Sequence, residues 1–233
     1  MTQKWKTDPS LYSCKRVDFL NQSKKVIDYE KVYVNEFLNQ DPLRDWESIE
    51  RCKEFFNLCI IEKLGLDPTS MSFLDCGTKD GQMPEYLINE YNMEAIGLEI
   101  SDPYIKWAQS KNRPVYKGDV CCMPKSFTEK FDIVFSHHLL GLTMDYYLGL
   151  CEMFRCVKIG GYLMTLNSVP GNKKKHYSYV ESTKSYDEWL KTDYLNPHEV
   201  LYYGKGLLNG EVILLLKKTD TCREVAMERP KEL

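Results

Sequence analysis

Three carboxylates fall at intervals that suit one nucleoside: Asp75, Glu99 and Asp119. Asp75 ends the apolar run Phe73-Leu74 and opens into Cys76-Gly77-Thr78-Lys79-Asp80-Gly81. Glycine lets backbone approach a ligand where a side chain would block it. A helix starting behind Gly81 turns its unpaired N–H groups toward the same place. Glu99 stands 24 residues after Asp75, next to Ile100 at the end of the apolar run AIGLEI. A carboxylate there can accept both ribose hydroxyl protons, at roughly 1.5–3 kcal/mol for each charge-assisted bond. Gly118-Asp119-Val120 then offers an acid to an adenine amino group, with Val120 against the ring. Taken singly, each feature has a plain reading: a strand-to-helix turn, a surface charge, a Gly-Asp turn. Their order and spacing are what point to a ligand.

Proton chemistry is available a little further on. The run Phe131-Asp132-Ile133-Val134-Phe135 leads into Ser136-His137-His138. A histidine with an ordinary pKa near 6.5 is suited to general-base work. If the strand continues, alternation points the two rings opposite ways, so one faces the ligand and the other packs. Tyr104 and Asp145 are further candidates by position, although Asp145 also suits a helix N-cap. Residues 168–185 combine Lys173, Lys174, Lys175 and His176 with Tyr177 and Tyr179. Such a basic, aromatic lip suits an anionic acceptor or a nucleotide base, and equally a solvated surface loop.

These residues need elements to hold them. Trp46, Ile49, Phe56, Ile60 and Leu64 recur at helical spacing over 45–65, with Asp45 to start the helix and Gly65 to end it. Strands are expected at 72–76, 95–100, 114–117, 131–136 and 162–167, with helices at 83–91, 103–110 and 145–157 between them. A turn is expected at Lys158-Ile159-Gly160-Gly161. Near the C-terminus, 200–203 and 212–217 flank a Gly-bearing loop as an antiparallel pair. The near-continuous apolarity of the 131–136 run fits a strand buried on both faces. The alternation predicts an α/β fold: a Rossmann-like, doubly wound, mostly parallel sheet with an antiparallel C-terminal hairpin and helices on both faces. One domain over 45–220 is expected, with 1–44 as an extension or lid carrying Trp5, Tyr12 and Tyr33, and 221–233 as a tail.

Composition is globular rather than disordered. Of 233 residues, 43% are hydrophobic and 28% charged, enough for a packed core. A net charge of -3 argues against a broad nucleic-acid footprint. The 9 cysteines are irregularly spaced, with no C-x-x-C pair and no zinc-finger spacing, which suits reduced thiols in a cytoplasmic protein. The N-terminus shows no apolar h-region, and no apolar run reaches the roughly 18 residues that span a bilayer.

With these residues in view, the stretch from about 50 to 170 resembles the class I S-adenosylmethionine-dependent methyltransferases, most closely their small-molecule branch. The resemblance rests on the Asp75-Gly77-Gly81 loop, Glu99, Asp119, the strand end FDIVFSHHLL, and LCEMFRCVKIGGYLMTL, in that order. It implies S-adenosyl-L-methionine as cofactor, bound by Asp75, Gly77, Thr78, Gly81, Glu99, Ile100, Asp119, Val120 and Ser136. It implies His137 or His138 as catalytic and a small-molecule acceptor, methylated at oxygen or nitrogen. Three departures stand out. Lys79 replaces the usual middle glycine of the loop, which a lysine fits comfortably if φ is negative there; Leu140-Gly141 stands where an acid–histidine pair is common; and Ile159 replaces a proline. A nicotinamide-binding protein would show G-x-G-x-x-G, which is absent. Aminopropyl transfer or cofactor cleavage, methylation of nucleic acid or protein, and a non-catalytic subunit of the same fold are the alternatives. The N/D-P-P-Y/F tetrapeptide of many nucleic-acid amino methylating enzymes is absent after the fourth strand.

If the basic lip receives the acceptor, replacing Lys173, Lys174 and Lys175 together by glutamate raises the acceptor KM sharply and leaves cofactor affinity nearly unchanged. An unaltered KM in steady-state kinetics removes the lip from the site.

Overall fold

The computed structural model describes residues 46–140, 146–168, 198–205 and 211–220. The expected lid (1–44), the basic lip beyond Ser168, Asp145 and the C-terminal tail lie outside the described residues.

Among the described residues, seven strands form one sheet: β1 (Ser72–Cys76), β2 (Glu94–Glu99), β3 (Val115–Lys117), β4 (Phe131–His137), β5 (Val157–Ser168), β6 (His198–Lys205) and β7 (Glu211–Lys218). Their spatial order is β3-β2-β1-β4-β5-β7-β6. Neighbours from β3 through β5 run parallel, and β7 is antiparallel to both β5 and β6. The order reverses between β1 and β4, so their carboxyl ends open a crevice of the kind in which α/β sheets bind ligands. The doubly wound sheet and its C-terminal hairpin are as the periodicity predicts.

The α-helices among the described residues are α1 (Trp46–Phe56), α2 (Gln82–Tyr91), α3 (Asp102–Ser110) and α4 (Tyr146–Cys156). Two boundaries differ from expectation. The single helix expected over 45–65 stops being α-helical at Phe56 and continues as a π-helix over Asn57–Lys63, before Gly65 turns it with a φ of 63°. The expected turn 158–161 is the start of β5, which pairs with Phe131 through Val157 and then shifts register before Ile133 meets Tyr162. Gly160, at a φ of 82°, takes up that irregularity.

Strand alternation divides the core into two layers. One face of the sheet presents Phe73, Ile133, Phe135, Met164 and Leu215 to α1, the π-helical segment and α2. The other presents Leu74, Cys76, Val134, Leu163 and Leu214 to Leu150, Met153 and Phe154 of α4. Each fully buried large side chain contributes about 1.5–3 kcal/mol. Aromatic contacts fix α1: Phe55 lies 6.1 Å from Phe135, Phe56 lies 5.9 Å from Phe73, and Phe73 lies 5.9 Å from Phe135. Because β1 and β4 are the strands whose tips form the crevice, the same rings hold α1 beside it.

The seven described cysteines are free thiols and six of them are buried, as expected of cysteines packing as small hydrophobes. Among the described residues, no helix is long and apolar enough to cross a membrane.

The end of β7 carries a buried charge. Lys218 is fully buried, donates to the Val157 carbonyl at 2.9 Å, pairs with Glu129 at 3.1 Å and lies 5.6 Å from the Phe154 ring centre. It therefore locks the base of β5 to the antiparallel edge. Replacing Lys218 by alanine leaves Glu129 and the carbonyl without this donor; urea unfolding should show a loss of about 3 kcal/mol.

Candidate active site

The crevice is built around a bend of unusual backbone. After Asp75 and Cys76, Gly77 adopts a φ of 73°, Lys79 of 55° and Gly81 of 78°. The bend folds back on β2: the Gly77 and Thr78 N–H groups both donate to the Leu98 carbonyl, at 2.8 and 3.2 Å. It is also tightly packed. A Cβ on Gly77 would meet Leu139 Cδ1 at 2.7 Å, one on Gly81 would meet Val115 Cγ2 at 2.5 Å, and one on Gly97 would meet Thr78 Cγ2 at 2.3 Å. Lys79, at a φ of 55°, takes a left-handed conformation that favours glycine, contrary to the negative φ at which lysine would be comfortable. The strain costs roughly 1–2 kcal/mol.

Glu99 is 3% exposed and accepts three backbone N–H groups at 2.9 Å: Lys79 on one oxygen, Ile100 and Ser101 on the other. Burial raises its pKa, and the hydrogen bonds from Ser101, Lys79 and Ile100 oppose the shift. One carboxylate thus joins the end of β2, the entry to α3 and the bend after β1. The exit of β3 joins the same point, since the Gly118 N–H donates to the Glu99 carbonyl at 2.8 Å. Asp119 follows, with one oxygen accepting the Cys121 N–H at 2.8 Å. Ile100, the residue after Glu99, leaves 38% of its surface exposed.

Asp75, Thr78, Glu99, Ile100 and Asp119 are therefore brought together with the two glycines. Asp75 is 5% exposed, and its pKa is raised to about 7, first by burial and then by Glu99 and Asp80; the Thr78 hydroxyl acts in the opposite sense. Val120 is placed differently from the expectation: it is 5% exposed and packs in the α4-side core. Ser136 is fully buried beside Cys76 and Thr165 in register, and the Ser136 and Thr165 hydroxyls have no hydrogen-bond partner.

The histidines do not alternate. β4 ends at His137, and His138 takes a φ of 51° while its N–H still donates to the Leu166 carbonyl at 2.8 Å. The left-handed residue folds its ring back, so the two ring centres lie 4.2 Å apart. His137 has its pKa lowered to about 3, chiefly by burial, with His138, Lys79 and Arg51 adding to the effect. A ring so reluctant to protonate is a weak base near neutral pH. Arg51 of α1 was not a candidate in the sequence; no motif spacing connects it to β4, and only the aromatic docking of α1 brings it there. The same holds for Arg113, which donates to the Asp80 side chain at 2.6 Å, to the Asp80 carbonyl at 3.2 Å and to Glu85 at 2.8 Å. Tyr104 lies on α3.

A bend of glycines, a helix N-terminus and two acids at adjacent strand tips make up the candidate site. Residues 74–165 match the family model described as a methyltransferase domain. By that match and this fold, the segment is similar to methyltransferase domains. Three solved structures are similar in fold. A TehB-like S-adenosylmethionine-dependent methyltransferase from Corynebacterium glutamicum superposes with a TM-score of 0.51 at 14% identity, over 77% of this chain and 100% of that one. A chain from the Haloferax volcanii complex with the Trm112 methyltransferase activator gives 0.53 at 16% identity, over 78% and 99%. The cyclase SpnF gives 0.53 at 15% identity, over 72% and 81%. No curated protein sequence matches the chain.

The two perturbed side chains act on stability with opposite sign. Asp75, with a raised pKa, binds more protons folded than unfolded between about pH 4 and 7, so its contribution to stability falls as pH rises through that window. His137, with a lowered pKa, binds more protons unfolded between about pH 3 and 6.5, so its contribution rises. In urea titrations at pH 4 to 6.5, Asp75→Asn should steepen the rise of stability with pH and His137→Asn should flatten it, each by up to about 1.4 kcal/mol per pH unit.

Proposed function

We propose that the chain binds S-adenosyl-L-methionine across the carboxyl ends of β1, β2 and β3 and places its methyl against an oxygen or nitrogen of a small-molecule acceptor. The observation that carries this reading is that Glu99 takes the Lys79 N–H of the bend on its carboxylate and the N–H of Gly118, the residue before Asp119, on its carbonyl, with the next residue, Ile100, 38% exposed. The fit to the cofactor is chemical. A carboxylate has about four acceptor positions, and Glu99 gives three N–H groups their partner, so one position remains for a ribose hydroxyl. Ile100 offers an apolar surface to the adenine ring, and Asp119 an acceptor to its amino group. Asp75, balanced near neutrality, becomes a full anion once a cation such as the methionyl ammonium lies beside it. Gly77, Thr78 and Gly81 supply close backbone, while Val120 and Ser136 support the strand tips from the core.

When bound, the cofactor supplies a methyl group already activated on a sulfonium. The protein's task is alignment, and well-oriented proximity contributes roughly 7–11 kcal/mol. An acceptor hydroxyl or amine must also lose a proton. His138, at the mouth of β4, is the proposed base, worth about 10²–10⁴-fold. His137 stays neutral beside it and fixes its ring. Because this fold also hosts the cyclase SpnF, the reaction rests on these residues rather than on the architecture.

Calorimetry with S-adenosylhomocysteine tests the cofactor half. Wild type binds, Glu99→Gln and Asp119→Asn each bind about tenfold or more weakly, and His138→Ala keeps its affinity while methyl transfer from labelled cofactor into a metabolite extract collapses. Equal affinity in both acid variants would contradict the proposal.

A further inference from the structure

We propose that Arg113 is a positioning residue of the cofactor site: it clamps the bend after β1 in its binding shape and lets lysine stand at position 79 in a conformation suited to glycine. The inference rests on the cofactor reading above, but part of its test is independent of that reading.

A non-glycine residue held at positive φ persists only where its surroundings over-determine it. Lys79, at a φ of 55°, is held from both sides. On one side its own N–H is bound by Glu99 at 2.9 Å. On the other, Arg113 Nη1 donates to both the carbonyl and the carboxylate of the next residue, Asp80, at 3.2 and 2.6 Å. The same guanidinium reaches Glu85 in the first turn of α2 through Nε at 2.8 Å. A planar guanidinium with fixed donor directions holds a peptide carbonyl and two carboxylates at once, and loses less freedom per hydrogen bond than a flexible lysine would. The bend and the helix N-terminus behind it are thereby tied into one body.

Arg113 is itself well anchored. It sits between α3 and β3, where its N–H donates to the Ala108 carbonyl at 3.0 Å and its carbonyl accepts the Val115 N–H at 2.9 Å. Its side chain is 16% exposed and that of Asp80 18%, so this is not a solvated surface pair of small consequence. The bend rests directly on this segment: a Cβ on Gly81 would lie 3.2 Å from Arg113 Cβ, besides its clash with Val115. Glu99 contributes to the upper side of the bend and Arg113 to the lower, and neither overlaps the role of the other.

If the clamp exists to hold a strained Lys79, glycine at 79 should make it dispensable. Residues that act on one strained element are coupled, and a double-mutant cycle measures the coupling. The proteins compared are wild type, R113Q, R113K, K79G and K79G/R113Q, each first shown to fold by circular dichroism and thermal melting. In calorimetry with S-adenosylhomocysteine, R113Q should bind about tenfold more weakly, R113K should recover only part of the loss, and K79G/R113Q should return to within about twofold of K79G. A residue that merely supports the fold would not be rescued by a substitution in the bend. Amide hydrogen exchange at Thr78, Lys79 and Gly81 in ligand-free protein reads the same coupling without any cofactor: R113Q speeds it, and K79G in that background slows it again. If R113Q does not fold, R113K and K79G/R113K take its place in both measurements. The inference is overturned if R113Q binds and exchanges like wild type, or if its defect persists in full beside K79G. Failure of the wild-type protein to bind S-adenosylhomocysteine would count against the cofactor reading alone, and the exchange data would still decide for or against the clamp.

Discussion

The structure turns on a buried carboxylate that has been given almost all the hydrogen bonds it can take. Glu99 is removed from water, which on its own would favour the neutral acid, and three backbone N–H groups oppose that tendency. Those donors belong to two pieces of chain: Lys79 in the bend after β1, and Ile100 and Ser101 where β2 passes into α3. Without the charge, each N–H would need another partner in a crowded crevice. With it, the strand tips are held at a fixed spacing.

The bend shows how a sequence can depart from a pattern and keep its geometry. Lysine at 79 has not relaxed the backbone; it has been forced into the conformation the site requires. That requires support from outside the loop, and the support comes from segments distant in sequence. Gly97 and Thr78 illustrate the tolerance involved, since any side chain at 97 would strike the threonine. The histidines show a similar economy. A left-handed residue at 138 ends the strand and at the same time brings its ring to 4.2 Å from that of His137, tilted at 55°.

Much of this was legible in the sequence, and the reasons are local. Strand and helix periods, the spacing of Asp75, Glu99 and Asp119, and the glycines of the bend are set by short-range rules, so the sheet, its hairpin and the acid series could be read. What could not be read depends on tertiary contact or on φ. Nothing in Asn57–Lys63 marks a π-helix rather than a continued α-helix. Val120 is apolar and next to Asp119, which suited a ring contact, yet its side chain goes to the core. Alternation predicted opposed histidines because it assumed that the strand continued past His137. Arg51 and Arg113 carry no motif; they matter only because α1 docks through Phe55 and Phe56 and because the α3–β3 connection passes beneath the bend.

The most direct test of the account is a crystal structure with S-adenosylhomocysteine bound. The ribose should lie with a hydroxyl about 3 Å from Glu99, the adenine over Ile100 and beside Asp119, and the bend from Gly77 to Gly81 unchanged with Lys79 still at positive φ. A nucleoside found elsewhere on the chain, or seated in the crevice without touching Glu99, would contradict it.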